Sequence, residues 1–239
     1  MTTINNLLAP VLPGLLCVSG EQAKKFLQGQ LTCHMDEVTP SHSLLGAHCN
    51  PQGRVISLFR IFLRENNYYL QMPRELIPIA KQALQKYAVF FKTSLVDSEI
   101  FSETQSANWH MENIRKKIPS IFPETSEKFL PHDLNLPELG AVSFNKGCYT
   151  GQEIIARMQY RGKLKNHLYH AVITTPLDLI RGADIFIGNK AVGNMVDFCK
   201  LNDKQYENNI FYHHCSPHYK KCTNAAFLIC AFQVYLRLI

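Results

Sequence analysis

The chain has 239 residues, enough for one large domain or two small ones, and 46% hydrophobic against 18% charged residues is a globular composition. Its net charge of +6 favours an anionic ligand, but the sequence lacks the dense Lys/Arg run of a dedicated nucleic-acid binder. No stretch approaches the ~20 apolar residues of a membrane span, and Pro10, Pro13 and Gly14 interrupt the apolar start without a basic segment before it, so a cytoplasmic protein is expected. Its eight cysteines are scattered without a C-x-x-C pair, which argues against a zinc ribbon or a disulfide framework.

Residues 11–18 (VLPGLLCV) read as a short buried strand. Ser19 and Gln22 have capping-box spacing, and Ala23, Phe26 and Leu27 then fall at helical spacing, with a stop near Gly29. His48 to Gly53 (HCNPQG) reads as a turn, and Arg54 to Leu63 as a strand. Asn66 and Asn67 turn the chain into a second strand, Tyr68 to Met72. A helix with an apolar face follows from about Leu76 to residue 88, with Pro78 tolerable only in its first turn. Phe90 to Val96 reads as another strand. Residues 97–140 are punctuated by prolines and read as a long connection with one short helix, Trp109 to Ile114. This order of elements is α+β in character.

The most informative stretch is Asn145 to Gly162, NKGCYTGQEIIARMQYRG. Thr150 and Glu153 have capping-box spacing, so a helix should begin at about Gly151, with Ile154, Ile155 and Met158 on its apolar face. Cys148 would then precede a helix N-terminus, with Lys146, Arg157 and Arg161 nearby, a setting expected to lower a thiol's pKa. Gly147 and Gly151 permit a sharp turn or close approach of a ligand. A cysteine before a helix is also a common structural feature, and Glu153 can be only a cap.

KGCYTGQE, followed by IIAR and YRG, resembles the signature of the YgfZ family of folate-binding proteins, which is related to the T-protein (aminomethyltransferase) of the glycine cleavage system. GQLT after the first helix, HCNPQGRV, KYAVFFK and FLPHDLNLPELG resemble further segments of that family, so the similarity covers roughly residues 10–195. The resemblance implies a T-protein-like folate-binding fold over residues 1–165. It also implies tetrahydrofolate or a derivative as ligand, and support for the assembly or repair of iron–sulfur enzymes such as tRNA methylthiotransferases. Cys148 is then the candidate reactive thiol. Lys146, Gly147, Tyr149, Gly151, Gln152, Glu153 and Arg157 are the candidate folate-binding residues; no metal ligands and no membrane partner are implied, and direct nucleic-acid binding has little support. Whether the chain is an enzyme stays open. The T-protein places carboxylates in the strand after a glycine turn, but Ser57 and Leu58 stand there here, which argues against aminomethyl transfer. A hydrolase pairing Cys148 with His132 or His167 is the remaining alternative.

After Gly162, Leu168 to Thr174 and the segments within Ile180 to Val196, with a hairpin at Gly188–Asn189, read as the first strands of a small C-terminal β-barrel. All twelve glycines precede Asn194, while four of the eight cysteines fall in the last 46 residues. Two readings of that tail compete. In one, His213, His214, Cys215, His218 and Cys222 hold a metal, although their spacing matches no common zinc pattern. In the favoured one, residues 166–239 form a partial or aberrant barrel that the tail does not complete, with residues from about Phe198 onward the least stable. FLICAFQVYL, residues 227–236, would then be an aggregation hazard if unpaired.

Overall fold

The computed structural model describes residues 11–98, 108–164, 166–174, 178–187, 189–202, 205–213, 227–229 and 234–238. Five strands, β1 (Pro13–Ser19), β2 (Leu44–Cys49), β3 (Val55–Arg64), β4 (Asn67–Pro73) and β5 (Ser94–Ser98), form a first antiparallel sheet in the order β2-β3-β4-β1-β5. Left-handed Glu65 and Asn66 (φ 50° and 63°) make the tight β3–β4 turn, as a two-residue hairpin loop of matching twist requires.

Helix α1 (Ala23–Gln30) buries Ala23, Phe26 and Leu27, and α2 (Ile77–Ala88) buries Ile77, Ala80, Leu84 and Ala88. Both stripes have helical spacing and close over one face of the sheet, onto Leu16, Phe59, Ile61 and Leu70. Burying each large apolar side chain is worth roughly 1.5–3 kcal/mol, so this helix–sheet layer is the main store of stability. Pro78 stands in the first turn of α2, where its missing N–H has no helical acceptor to lose.

Two local expectations are corrected, and one strand had no expectation. The Ser19 box does not form: Gln22 precedes the first residue of α1 without a side-chain cap, although the helix ends at Gln30, next to the expected stop. Strand β5 begins at Ser94 rather than Phe90, because α2 ends in a turn that leaves Phe90 79% exposed. Strand β2 is an element that the sequence reading left unassigned.

The connection after β5 carries helix α3 (Trp109–Arg115), as expected. It then runs beside the start of β3: the Val55 N–H donates to the Phe129 carbonyl and the Glu127 N–H to the Val55 carbonyl, each at 2.8 Å. Helix α4 (Gln152–Arg161) follows. A second antiparallel sheet comprises β6 (Asn166–Thr174), β7 (Asp184–Ile187), β8 (Lys190–Asn202), β9 (Gln205–His213), β10 (Phe227–Ile229) and β11 (Val234–Leu238). Its order is β10-β11-β6-β9-β8-β7. Ile187 and Lys190 pair on either side of the expected hairpin turn. Among the described residues the sheet is open, with β7 and β10 as edges. Strand formation does not stop near Val196: β8 continues to Asn202, and β9 lies between β6 and β8. Phe198 is buried against Tyr206 and Met195, so no element boundary falls there. Residues 214–222, with most of the metal candidates, lie outside the described residues. No helix among the described residues is long and apolar enough to cross a membrane.

Candidate functional site

Three separate stretches of sequence meet at the N-terminal end of α4. The first is the end of α1 with GQLT. Thr32 donates through Oγ1 to the Ala141 carbonyl at 2.6 Å, and its own carbonyl accepts from the Ser143 N–H at 2.8 Å. The Thr150 N–H donates to the Gly29 carbonyl, and Thr150 Oγ1 to Gln30 Oε1, both at 3.3 Å. The second is the 50–53 turn. Gly151 is left-handed (φ 84°), and a Cβ there would stand 2.6 Å from the Asn50 carbonyl oxygen and 3.0 Å from Gly53 Cα. Only glycine lets these two backbones close against each other. The third stretch is the KGCYTGQE segment itself.

Lys146 is the strut of this junction. Its ammonium donates to the carbonyls of Gln28 (2.7 Å), Leu31 (2.6 Å) and Cys33 (2.8 Å). An ammonium has three protons, so all are used, and they cap the carbonyl end of α1. Burial pulls its pKa down to about 8, partly offset by Cys33, so the cation remains the main form at neutral pH. Its Nζ also lies 5.1 Å from the Tyr149 ring centroid. This corrects the expectation that Lys146 serves as a free cation beside Cys148 or toward a ligand.

The other candidates divide. Tyr149 is buried, and burial followed by the charge of Cys49 pushes its phenol upward. Gly147 and Cys148 are exposed, and Gln152 is half-buried. Cys148 is a free cysteine, in no disulfide. The expected Thr150–Glu153 box does not form, because left-handed Gly151 precedes the helix without a side-chain cap. Glu153 instead accepts from Arg157 at 2.8 Å along the exposed face of α4. Of the two histidines a thiol hydrolase could use, His132 is buried with its Nε2 3.1 Å from Gln159 Oε1, and His167 lies in β6.

Ser57 is fully buried, opposite His48 across β2 and β3, and neither side chain has a hydrogen-bond partner among the described residues. Burial, with a smaller push from Lys86, lowers His48 to about 4, so its ring is neutral at pH 7. Leu58 beside Ser57 is buried too, and neither of these two side chains can act as a general base at neutral pH.

At the other end of α4 lies a cleft of about 880 Å³, within the ordinary range of ligand pockets. Met158 and Lys163 line it from the helix side, Arg54 and Asp133 from the first sheet and its connection, and Asn166 and Asn194 from the second sheet. None of the candidate site residues read from the sequence lines it. Arg54 had been read only as a strand start; a basic residue directly after a glycine turn that faces the motif was the available signal.

No family model matches the chain. An uncharacterised protein of Haemophilus influenzae is 30% identical over 209 residues, covering 72% of this chain and 75% of that one. The tRNA-modifying protein YgfZ of Colwellia psychrerythraea is 29% identical, covering 65% of this chain and 68% of its own length. The YgfZ of Vibrio atlanticus is 28% identical, covering 62% and 64%. The chain therefore spans between 64% and 75% of the length of these relatives. Among solved structures, the glycine cleavage system aminomethyltransferase T of Bartonella henselae superposes with a TM-score of 0.63 over 84% of this chain and 76% of that one, at 11% identity. The fold is thus that of the T-protein.

Proposed function

The chain belongs to the YgfZ family, and on that premise we propose that it is a folate-binding accessory protein acting in tRNA modification. The observation that carries the reading is the convergence of GQLT, the 50–53 turn and KGCYTGQE at one end of α4, with a cleft of ligand size at the other. Relatives bearing the name of a tRNA-modifying protein supply the process. In finer terms, the protein works in the cytoplasm and supports the assembly or repair of iron–sulfur enzymes, tRNA methylthiotransferases among them. Residues 1–165 form the folate-binding region, and residues 166–239 form a partial barrel.

The donor set fits a folate. The half-buried Gln152 amide both donates and accepts, as the edge of a pterin does, and Gly151 and Gly53 let the motif pack against the 50–53 turn beside it. Tyr149 supplies an aromatic wall backed by Lys146, while the Glu153–Arg157 pair borders the same helix end. Tetrahydrofolate, when bound, would supply a carrier for one-carbon units. The chain's own residues bind and orient it; with Ser57 and Leu58 in place of carboxylates, they provide no base for methylene transfer.

Calorimetric titration with tetrahydrofolate tests the reading. Saturable one-to-one binding is expected, weakened about tenfold in Gln152→Ala and retained in Cys148→Ala. Incubation with an aminomethylated lipoyl carrier should give no methylenetetrahydrofolate above background. A chain that binds no tetrahydrofolate sinks the proposal, and robust turnover would restore the transferase alternative.

A further inference from the structure

We propose that Cys199, His110 and Asp197 form a second thiol site, at which Cys199 exchanges reversibly with low-molecular-weight disulfides. The three residues come from two elements. Asp197 and Cys199 are two positions apart on β8, and the bulges of that strand fall before Asp197 and after Lys200. Pairing between them is regular, so both side chains stand on one face of the sheet. His110 comes from the first turn of α3, which packs against β8 and β9. Its Nε2 lies 2.8 Å and 2.9 Å from the two Asp197 oxygens, and Cys199 hydrogen-bonds the same imidazole.

The carboxylate is held from more than one side. Besides His110, the Ser120 N–H donates to it at 3.3 Å, and Arg181 stands 3.6 Å away with its guanidinium over the Phe122 and Phe198 rings. Asp197 in turn fixes the imidazole. A thiol within hydrogen-bond reach of an imidazole that a third group orients is the arrangement that activates a sulfur nucleophile. Charge acts in the same direction. Burial works against it, but the charge and hydrogen bond of Asp197 raise His110 to about 9, so the ring is cationic at neutral pH. A cation beside a sulfur favours its attack as an anion. Exposure is graded as well: Asp197 is fully buried, His110 is 4% exposed and Cys199 is half-buried, so a reagent from solvent meets the sulfur first.

The exchange needs only a disulfide as co-reactant. The Cys199 sulfur attacks one sulfur of the disulfide. A new S–S bond forms as the old one breaks, and the other half leaves as a thiolate that takes up the proton Cys199 gave. Cys199 is oxidised to a mixed disulfide, and the leaving half is reduced to a thiol. A second thiol reverses the step by the same route. The site is independent of the folate reading, and Cys148 of the motif takes no part in it.

Glutathione disulfide added to the full chain at neutral pH, with adducts mapped by mass spectrometry over time, tests this. Cys199 should be modified about tenfold faster than Cys17, the other half-buried thiol among the described residues, which burial pushes up. His110→Gln keeps a hydrogen-bonding side chain without the charge; it should slow Cys199 about tenfold and leave the Cys148 rate unchanged. Loss of the fold would instead speed Cys199, so the sign of the change separates the two effects. Cys199 reacting no faster than Cys17 in the unaltered protein, or at an unchanged rate in folded His110→Gln, overturns the proposal. Where the variant does not fold, the first comparison decides alone.

Discussion

The last carbonyls of a helix have no partner within it, and at α1 a lysine more than a hundred residues downstream supplies one. Lys146→Met keeps most of the aliphatic stem but leaves the Gln28, Leu31 and Cys33 carbonyls without their donor. A loss of about 2–4 kcal/mol is expected, read as a lower urea midpoint at unchanged slope. A midpoint within experimental error of the original would remove Lys146 from its role as strut. The sequence placed Lys146 two positions from Cys148 and treated the pair as neighbours. Spacing along an irregular segment does not say where the end of a four-carbon stem points, so this role was illegible. The capping-box expectation failed for a related reason. Gly151 adopts a left-handed conformation to pack against the 50–53 turn, and that tertiary demand displaces the local cap. Glu153 could then be read only as the first partner of an i,i+4 pair with Arg157.

At the scale of elements, α3 is tied to β8 by a buried ion pair. His110 Nε2 lies 2.8 Å and 2.9 Å from the two oxygens of Asp197, and the Ser120 N–H donates to the same carboxylate at 3.3 Å. Arg181 stands 3.6 Å away, its guanidinium over the rings of Phe122 and Phe198. Burial alone would lower the His110 pKa, but the charge and hydrogen bond of Asp197 outweigh it and raise it to about 9. A folded pKa above the unfolded value of 6.5 means stabilisation that is complete below about pH 6.5 and lost as pH rises through about 9. Urea midpoints should therefore fall between about pH 6.5 and pH 8, below the range where the lowered Lys146 pKa adds an opposite slope, and His110→Gln should flatten that fall. A slope that is the same in the variant would assign the pH dependence to other groups. None of this was visible in the sequence, where His110 and Asp197 are 87 positions apart. Elements with a clear period were legible: β1, β3, β4, α2 and α3 fall within a few residues of their expected places. The unassigned β2 contains Gly46, directly precedes the 50–53 turn, and shows no in–out alternation in its burial, so it carries no clear strand period.

At the scale of the whole molecule, the T-protein-like fold was legible through a few short motifs, because the segments that carry them are those that pack together at α4. The extent of the second sheet was not, because β8 and β9 pair without the glycine turns that the sequence reading looked for. The two sheets differ in how they are supported. The first is covered by α1 and α2, and Phe26 of α1 packs in one core with Phe59, Leu70 and Met72 of the sheet, all at most 2% exposed. The second sheet adds Leu168 and Val196 to that core, while Ala171, Ile173, Met195, Phe198 and Tyr206 form a separate small cluster, and among the described residues its edges β7 and β10 are unpaired. Unpaired edges and a small core lower the free energy of local opening. Two attachments counter this within the sheet: Asn135 holds both the N–H and the carbonyl of Leu168 in β6, and His110 holds Asp197 in β8. Hydrogen exchange should therefore be slowest in β1, β3 and β4, intermediate in β6 and β8, and fastest at β7 and β10. Limited proteolysis followed by mass mapping should cut first beyond residue 166 and leave a resistant fragment ending near α4. Cutting that begins in the first sheet, or uniform protection of both sheets, would show that the second sheet is as stable a unit as the first.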